Sequence, residues 1–134
     1  MVIDKVLVIA SAIIKNKQRK VLLLQRSEKS SYPGYWQLVE GKLEKDEDPS
    51  EALKREIEEE TGLIASNLEL SSVFFNEIEA KGLKYLTFRI LFNANVNLKE
   101  IKTSDEHISF GWYDKNKAFK LRLLPGTEDL LNKL

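Results

Sequence analysis

The chain has 134 residues, which suits one domain, residues 1–134, around a single hydrophobic core. Lysine plus arginine and aspartate plus glutamate balance at 21 each, so no basic excess argues for nucleic-acid binding. Cysteine is absent, which excludes disulfides and thiolate metal sites, and no apolar run approaches the roughly 20 residues of a membrane span.

The first predicted elements are two strands. Residues 6–14 are rich in β-branched side chains and apolar on both alternations, which predicts a strand covered on both faces. A polar connector, residues 15–20, and a second apolar run, residues 21–25, predict a hairpin whose second strand ends at Arg26. An acid precedes the first apolar run and no small-residue cleavage pattern follows it, so this run does not resemble a secretory signal peptide. We therefore expect a cytoplasmic protein.

Residues 27–35 form a predicted loop with Pro33-Gly34 as its turn signal. Two tyrosines of this loop and Trp36 after it are candidates either for stacking on a substrate ring or for anchoring the loop on the core. Anchoring is the commoner use of such aromatic residues.

A helix is predicted over residues 49–61. Asp48 suits the N-cap, Pro49 the first helical position, Glu51 the acid of a capping box, and Gly62 the C-terminal stop. On a helical wheel, Leu53 and Ile57 make an apolar stripe, and an adjoining arc carries three acids, Glu56, Glu59 and Glu60.

These acids are costly for folding alone. Glu56 and Glu60 are a like-charge i,i+4 pair, which costs a few tenths of a kcal/mol, and the C-terminal half of a helix disfavours negative charge. A solvated acidic face is the usual explanation of such a segment. A hard divalent cation bound by the carboxylates is the alternative, because it removes both costs.

The spacing of the whole stretch favours the cation. Residues 41–63 have the form G-x5-E-x7-R-E-U-x-E-E-x-G-U, with U a bulky aliphatic, and every fixed position is filled: Gly41, Glu47, Arg55, Glu56, Ile57, Glu59, Glu60, Gly62 and Leu63. With each specific residue used at about 5–10%, a chance match in this chain is about one in a million. The form is the Nudix box, and the chain resembles the Nudix hydrolases.

The resemblance implies an α/β (α+β) fold, with a mixed β-sheet sandwiched between α-helices. It also implies metal-dependent hydrolysis of a phosphoanhydride in a small nucleotide-like substrate, with Mg²⁺ as the cofactor and Mn²⁺ as a substitute. Dimers are common in the family, so a homodimer is expected by analogy.

The resemblance further implies roles for individual residues. The metal ligands are Glu56, Glu59, Glu60 and the backbone carbonyl of Gly41. Glu56 is the first choice for the general base, with Arg55 orienting the acids and Glu47 and Gly62 structural. Substrate contacts are expected from Arg26, whose guanidinium matches phosphate oxygens, and from Lys42, Glu40 and Trp36.

The chain also departs from the family's usual form. Val39-Glu40 stands where Pro-Gly is common, and Asp46 replaces a frequent glycine. Glu40 is therefore expected either as an extra metal ligand or as a residue that tunes substrate choice, and the sequence does not decide between them.

After the helix, residues 68–79 and 84–96 predict a long hairpin that turns at residues 80–82. Its second arm alternates between an apolar face, expected in the core, and a polar face that either borders a cleft or faces solvent. Residues 114–121 and 125–134 predict two further helices.

A short strand is predicted over residues 108–112, just after two acids and the chain's one histidine. By the resemblance, Glu106 is a metal-side acid and the second choice for the base, with Asp105 behind it. His107 is a candidate base, although a lone histidine is more often structural.

The substrate is less defined. The segments WQLVEG and EHISFGWYD resemble the branch that removes pyrophosphate from dihydroneopterin triphosphate and nucleoside triphosphates. A nucleoside or pterin triphosphate is the leading expectation. Diadenosine polyphosphate or oxidised-guanine nucleotide hydrolysis, and a non-catalytic nucleotide sensor, are the alternatives.

Overall fold

The computed structural model describes residues 2–44 and 46–134. Their elements in chain order are β1 Lys5–Ile13, β2 Val21–Arg26, β3 Trp36–Gln37, β4 Val39–Lys42, α1 Pro49–Thr61, β5 Ala65–Ala80, β6 Leu83–Val96, β7 His107–Tyr113, α2 Lys115–Ala118 and α3 Thr127–Leu131.

The strands form two sheets. The four-stranded sheet has the order β4-β1-β6-β5 and is mixed, because β1 runs parallel to β6 while its other pairings are antiparallel. The three-stranded sheet has the order β3-β2-β7 and is antiparallel. The predicted α+β class with a mixed sheet is confirmed, with a second sheet that the sequence did not predict.

The predicted hairpin between β1 and β2 is wrong. A single bridge joins Lys15 to Val21, after which the two strands enter different sheets. The physical reason is that β1 is a central strand: β4 and β6 occupy both of its edges and leave no backbone groups for β2.

The long hairpin of β5 and β6 is confirmed, with Lys81 and Gly82 at its tip. The expected division into core and polar faces is only half right. Ile90 and Phe92 on the apolar face pack into the core below α1. The opposite face is also covered, because Thr87, Arg89 and Leu91 are all buried.

Helix α1 has the predicted limits. The Asp48 side chain accepts a hydrogen bond from the Ser50 N–H, and Gly62 ends the helix at φ 77°, where its own N–H donates to the Glu58 carbonyl. Leu53 and Ile57 are fully buried in the core shared with β1, β2 and β4. The apolar stripe therefore fixes the rotation of the helix, and with it the direction in which each acid points.

The C-terminal helices are shorter than predicted. α2 is a single turn, and α3 spans five residues rather than ten. Leu130 and Leu131 of α3 are buried in a second core cluster with Leu23 and Leu38. Within the described residues, no helix is long and apolar enough to cross a membrane.

We predict that the docking of α1 depends on Leu53. Leu53→Ala removes a fully buried side chain and is expected to lower the free energy of unfolding by about 2–5 kcal/mol, measured by urea denaturation. The control is Val73→Ala on β5, where the side chain is 56% exposed and the expected change is within about 0.5 kcal/mol. Equal losses in both variants would contradict this packing.

Candidate active site

One cleft of about 680 Å³ opens on the polar face of the four-stranded sheet. Its floor comes from β1, β4 and β6, and its rim from the loop after β2, the tip of the long hairpin and the segment before β7. The lining includes four acids, one histidine, five cationic side chains and a largely apolar wall: Glu40, Glu60, Asp105, Glu106, His107, Arg26, Lys29, Lys42, Lys81, Arg89, Leu7, Ile9 and Tyr85. A cleft of this volume suits a small molecule.

Glu60 is the most deeply buried acid of the cleft. It projects from α1 beside the apolar stripe and is only 3% exposed. Burial, and then the negative charges of Glu56, Glu106 and Glu40, raise the pKa of Glu60 to about 10. In the protein without a bound cation, this carboxyl is therefore protonated at neutral pH.

His107 and Glu106 complete a cluster around Glu60. Glu60, Glu106 and His107 each offer a ligand atom, and these atoms all lie within 4.8 Å of one another. His107 Nε2 lies 3.5 Å from Glu60 Oε1. Burial and the nearby Arg26 charge lower the pKa of His107 to about 4, so the imidazole is neutral at physiological pH.

The cluster fits a divalent cation. Glu60 Oε2 is buried and has no hydrogen-bond partner among the described residues. An unpaired buried oxygen costs free energy, and a cation that binds an ionised Glu60 removes that cost. This is the physical basis for placing a metal at this end of the cleft.

Glu56 stands behind this cluster, against the backbone of β4. A β-carbon at position 41 would lie 2.1 Å from Glu56 Cγ, so only glycine fits at Gly41. Arg55 Nη2 donates to Glu56 Oε1 at 3.1 Å, and Arg55 Nη1 donates to Glu47 Oε2. Burial raises the pKa of Glu56 above its ordinary value.

Glu59 is placed differently from its two expected partners. Its side chain is 59% exposed, and its nearest described cation is Arg55, with 3.9 Å between Glu59 Oε1 and Arg55 Nε. Glu60, Glu106 and His107 gather more closely than the expected trio of Glu56, Glu59 and Glu60.

Glu40 is occupied by protein partners. Ser11 Oγ donates to Glu40 Oε2 at 2.8 Å, and Arg89 Nε and Nη2 reach the two carboxylate oxygens at 3.4 and 3.5 Å. The side chains of Glu40 and Arg89 are only 6% and 2% exposed. This pairing argues against Glu40 as an extra metal ligand and leaves its alternative, a part in shaping the cleft floor.

Some of the predicted substrate contacts line the cleft and others do not. Arg26 and Lys42 line the cleft. The Arg26 guanidinium is held by three donated hydrogen bonds, two to Ser31 and one to Gln37. Trp36 is outside the cleft lining and packs edge-on against Tyr113 with 5.5 Å between ring centroids, which favours the core-anchoring alternative, while its substrate contact stays a prediction.

Sequence reasoning missed Gln37 as part of the cleft, and it raised Tyr85 and Arg89 only as members of a polar face that either borders a cleft or faces solvent; the first alternative is the one observed. The one available signal was the polar alternation of β6, which places Tyr85, Thr87 and Arg89 on one face. That alternation did not reveal the partner of Arg89, because Glu40 lies 49 residues away in the chain.

The chain was compared with known proteins and families. The family model of the NUDIX domain matches residues 5–134. The chain is 34% identical over 86 residues to the 8-oxo-dGTP diphosphatase of Haemophilus influenzae, covering 64% of this chain and 63% of that protein. It is 28% identical over 128 residues to the CTP pyrophosphohydrolase of Escherichia coli, covering 95% and 90%.

The fold is also similar to solved structures. A crystal structure of the MutT protein from Methanosarcina mazei superposes with a TM-score of 0.79 at 29% identity, covering 98% of this chain and 95% of that one. Three curated relatives are matched over only 31% to 63% of their own length.

We predict a pH-dependent effect of Glu60→Gln on the metal-free protein. An unfolded glutamate ionises near pH 4.3, whereas folded Glu60 ionises near pH 10. The stability of wild type relative to Glu60→Gln is therefore lost progressively as the pH rises between these values, whereas the lowered pKa of His107 affects both proteins alike. Glu60→Gln is expected to unfold at higher urea than wild type at pH 9 and at similar urea at pH 4, in buffer with a chelator.

Mg²⁺ is expected to stabilise wild type increasingly as the pH rises, because the bound ion displaces the Glu60 proton. Most of this stabilisation is expected to be absent in Glu60→Gln. Glu58→Gln is the matched control, because Glu58 is an exposed acid of the same helix outside the motif. A difference in stability between wild type and Glu60→Gln that does not grow between pH 5 and 9 would contradict the buried neutral carboxyl.

We also predict strong coupling between Glu40 and Arg89. Glu40→Leu or Arg89→Met alone leaves a buried unpaired charge and is expected to cost about 3–5 kcal/mol of unfolding free energy. The double variant is expected to cost less than either single one. Glu79→Gln, which breaks the exposed pair with Lys84, is the control, with an expected loss of about 0–1 kcal/mol. Additive losses at Glu40 and Arg89 would contradict the pairing.

Proposed function

The chain belongs to the NUDIX family, and on that premise we propose that it releases pyrophosphate from a nucleoside or pterin triphosphate, with Mg²⁺ as cofactor. The observation that carries the proposal is the charge pattern of the cleft. Glu60 and Glu106 line the cleft together with Arg26 and Lys42. Acids suited to bind a cation and positively charged side chains suited to bind phosphate therefore face the same cleft.

The names of relatives support a triphosphate substrate. Both the Haemophilus and the Escherichia proteins are named for hydrolysis of a nucleoside triphosphate, one oxidised and one ordinary. The oxidised-guanine alternative is therefore retained. A Caenorhabditis elegans Ap4A hydrolase also shares the fold at 26% identity and a TM-score of 0.73, which keeps a dinucleoside polyphosphate on the list of substrates to test.

The residues that would hold the cation are Glu60, Glu106 and Glu56, with Glu59 and the Gly41 carbonyl from the motif. When bound, a divalent ion supplies Lewis-acid stabilisation of the phosphate oxygens and lowers the pKa of water. Because Ser31 and Gln37 fix the Arg26 guanidinium, it can hold the phosphate chain with little loss of side-chain entropy.

Glu56 is the proposed base that takes the proton of the attacking water. Its raised pKa brings its basicity closer to neutral pH, which suits proton transfer. Arg55 occupies Glu56 Oε1 and leaves Oε2 as the atom to receive the proton. Glu106, exposed at the cleft rim, is the second candidate.

A nucleotide sensor without turnover is the competing function. Every acid of the motif is present here, from Glu47 to Glu60, whereas a sensor has no need of them. The complete acid set therefore favours the enzyme.

We predict that Glu59→Gln separates the two functions. Removing a proposed metal ligand is expected to lower pyrophosphate release by at least about 100-fold, because metal stabilisation is worth several kcal/mol in the transition state. The substrate panel is dihydroneopterin triphosphate, CTP, 8-oxo-dGTP and diadenosine tetraphosphate, each with Mg²⁺ and with Mn²⁺.

Glu58→Gln is the matched control, since Glu58 is the adjacent exposed acid of the same helix and lies outside the motif. It is expected to retain turnover within about twofold of wild type. Nucleotide binding with equal, negligible turnover in wild type and Glu59→Gln would instead support the sensor.

The homodimer and the cytoplasmic location stay predictions. Sedimentation equilibrium of the full chain tests the first, and cell fractionation tests the second.

A further inference from the structure

His107 has an unusual environment for the chain's one histidine. It begins β7, opposite Arg26 at a bulge in the three-stranded sheet, and is 6% exposed. Nδ1 has no hydrogen-bond partner among the described residues. Nε2 lies 3.5 Å from Glu60 Oε1. Among the described residues, the Glu60 carboxyl is therefore the group that faces this imidazole nitrogen.

Three separate elements bring the ligand atoms together. Glu60 comes from α1, Glu106 from the segment before β7, and His107 from β7 itself. Their ligand atoms lie within 4.8 Å of one another, and both Glu60 and His107 are more than nine-tenths buried. Each of these two buried side chains also has an unpartnered polar atom. The unpartnered atoms are Glu60 Oε2 and His107 Nδ1, whereas His107 Nε2 faces Glu60 Oε1, so two buried side chains with an unsatisfied polar atom meet at this end of the cleft.

The separation of the two atoms suits a shared ion. Two ligands at about 2.1 Å from a tetrahedral ion lie about 3.4 Å apart, and two cis ligands of an octahedral ion lie about 3.0 Å apart. The observed 3.5 Å between Glu60 Oε1 and His107 Nε2 is close to the first value. A small inward movement of either side chain reaches the second.

We propose that His107 is a nitrogen ligand of the divalent cation, beside Glu60 and Glu106. The proposal rests on the proposed metal-dependent function and adds to it a ligand that the acid motif does not supply. A mixed nitrogen and oxygen site differs from an all-carboxylate one in its choice of metal. Imidazole binds transition metals more strongly than it binds Mg²⁺, so His107 raises affinity for Mn²⁺ and Co²⁺ relative to Mg²⁺.

Electron spin-echo spectroscopy of bound Mn²⁺ tests this directly. The full chain, prepared without a polyhistidine tag, contains a single histidine, so an imidazole ¹⁴N modulation has one source. We expect this modulation in wild type with Mn²⁺ alone. Incorporating ¹⁵N-labelled histidine should abolish the ¹⁴N pattern without any change in the protein's structure.

Calorimetric titration of His107→Gln with Mn²⁺ and with Mg²⁺ provides the second measurement. Loss of a nitrogen ligand is expected to weaken Mn²⁺ binding by about tenfold or more and Mg²⁺ binding by less. Glu58→Gln should keep both affinities and the modulation. If His107→Gln fails to fold, the labelled wild-type spectrum decides the question.

Bound Mn²⁺ with no imidazole modulation would overturn the proposal and would leave His107 as a neighbour of Glu60 only. That result would not affect the proposed function, because turnover of the substrate panel is measured separately. Absence of Mn²⁺ binding together with absence of turnover would overturn both.

Discussion

The burial of one carboxylate, Glu60, is the constraint on which the site depends. The apolar stripe of α1 sets the rotation of the helix, and Glu60 lies next to that stripe, so the packing that stabilises the fold also takes this acid out of water. A buried carboxylate beside three other acids either holds its proton or binds a cation. Burial of Glu60 therefore lowers the stability of the metal-free protein above the ordinary pKa of a glutamate, and a cation bound by the ionised carboxylate would offset that loss.

The remaining charges of the region are arranged so that they do not neutralise Glu60. Arg55 is engaged by Glu47 and Glu56 on the outer side of α1, and Arg89 is engaged by Glu40 on the sheet. Both arginines are thus held by other acids. Arg26 is fixed by neutral partners, which leaves its charge available to a substrate anion. Among the described residues, Glu60 forms no ion pair with an arginine or lysine, and Arg26 donates its side-chain hydrogen bonds to neutral partners while the charges of Glu40, Glu106 and Glu60 act on it.

The sequence predicted local features such as the limits of α1, but it did not predict which distant strands and side chains pair with each other. The limits of α1 follow from Asp48, Pro49 and Gly62, which act within a few residues of themselves. The helical wheel placed Glu56, Glu59 and Glu60 together beside the apolar stripe, but it did not predict that Glu60 alone of the three is buried. The β1–β2 hairpin was wrong because strand pairing depends on distant segments: β6 takes one edge of β1, and its paired residues, from Lys5 with Tyr85 to Ile13 with Asn93, are 80 positions apart. The Glu40–Arg89 contact was missed for the same reason.

The Glu40–Arg89 pair has a consequence for how this cleft changes over evolutionary time. Loss of one residue of the pair leaves the other as an unpaired buried charge, so we expect substitutions at positions 40 and 89 to occur together. The two residues should therefore be kept or replaced as a pair, and the shape of the cleft floor should be kept or changed with them. Substrate preference should then change mainly through substitutions at the cleft rim, in the loop after β2 and at the tip of the β5–β6 hairpin.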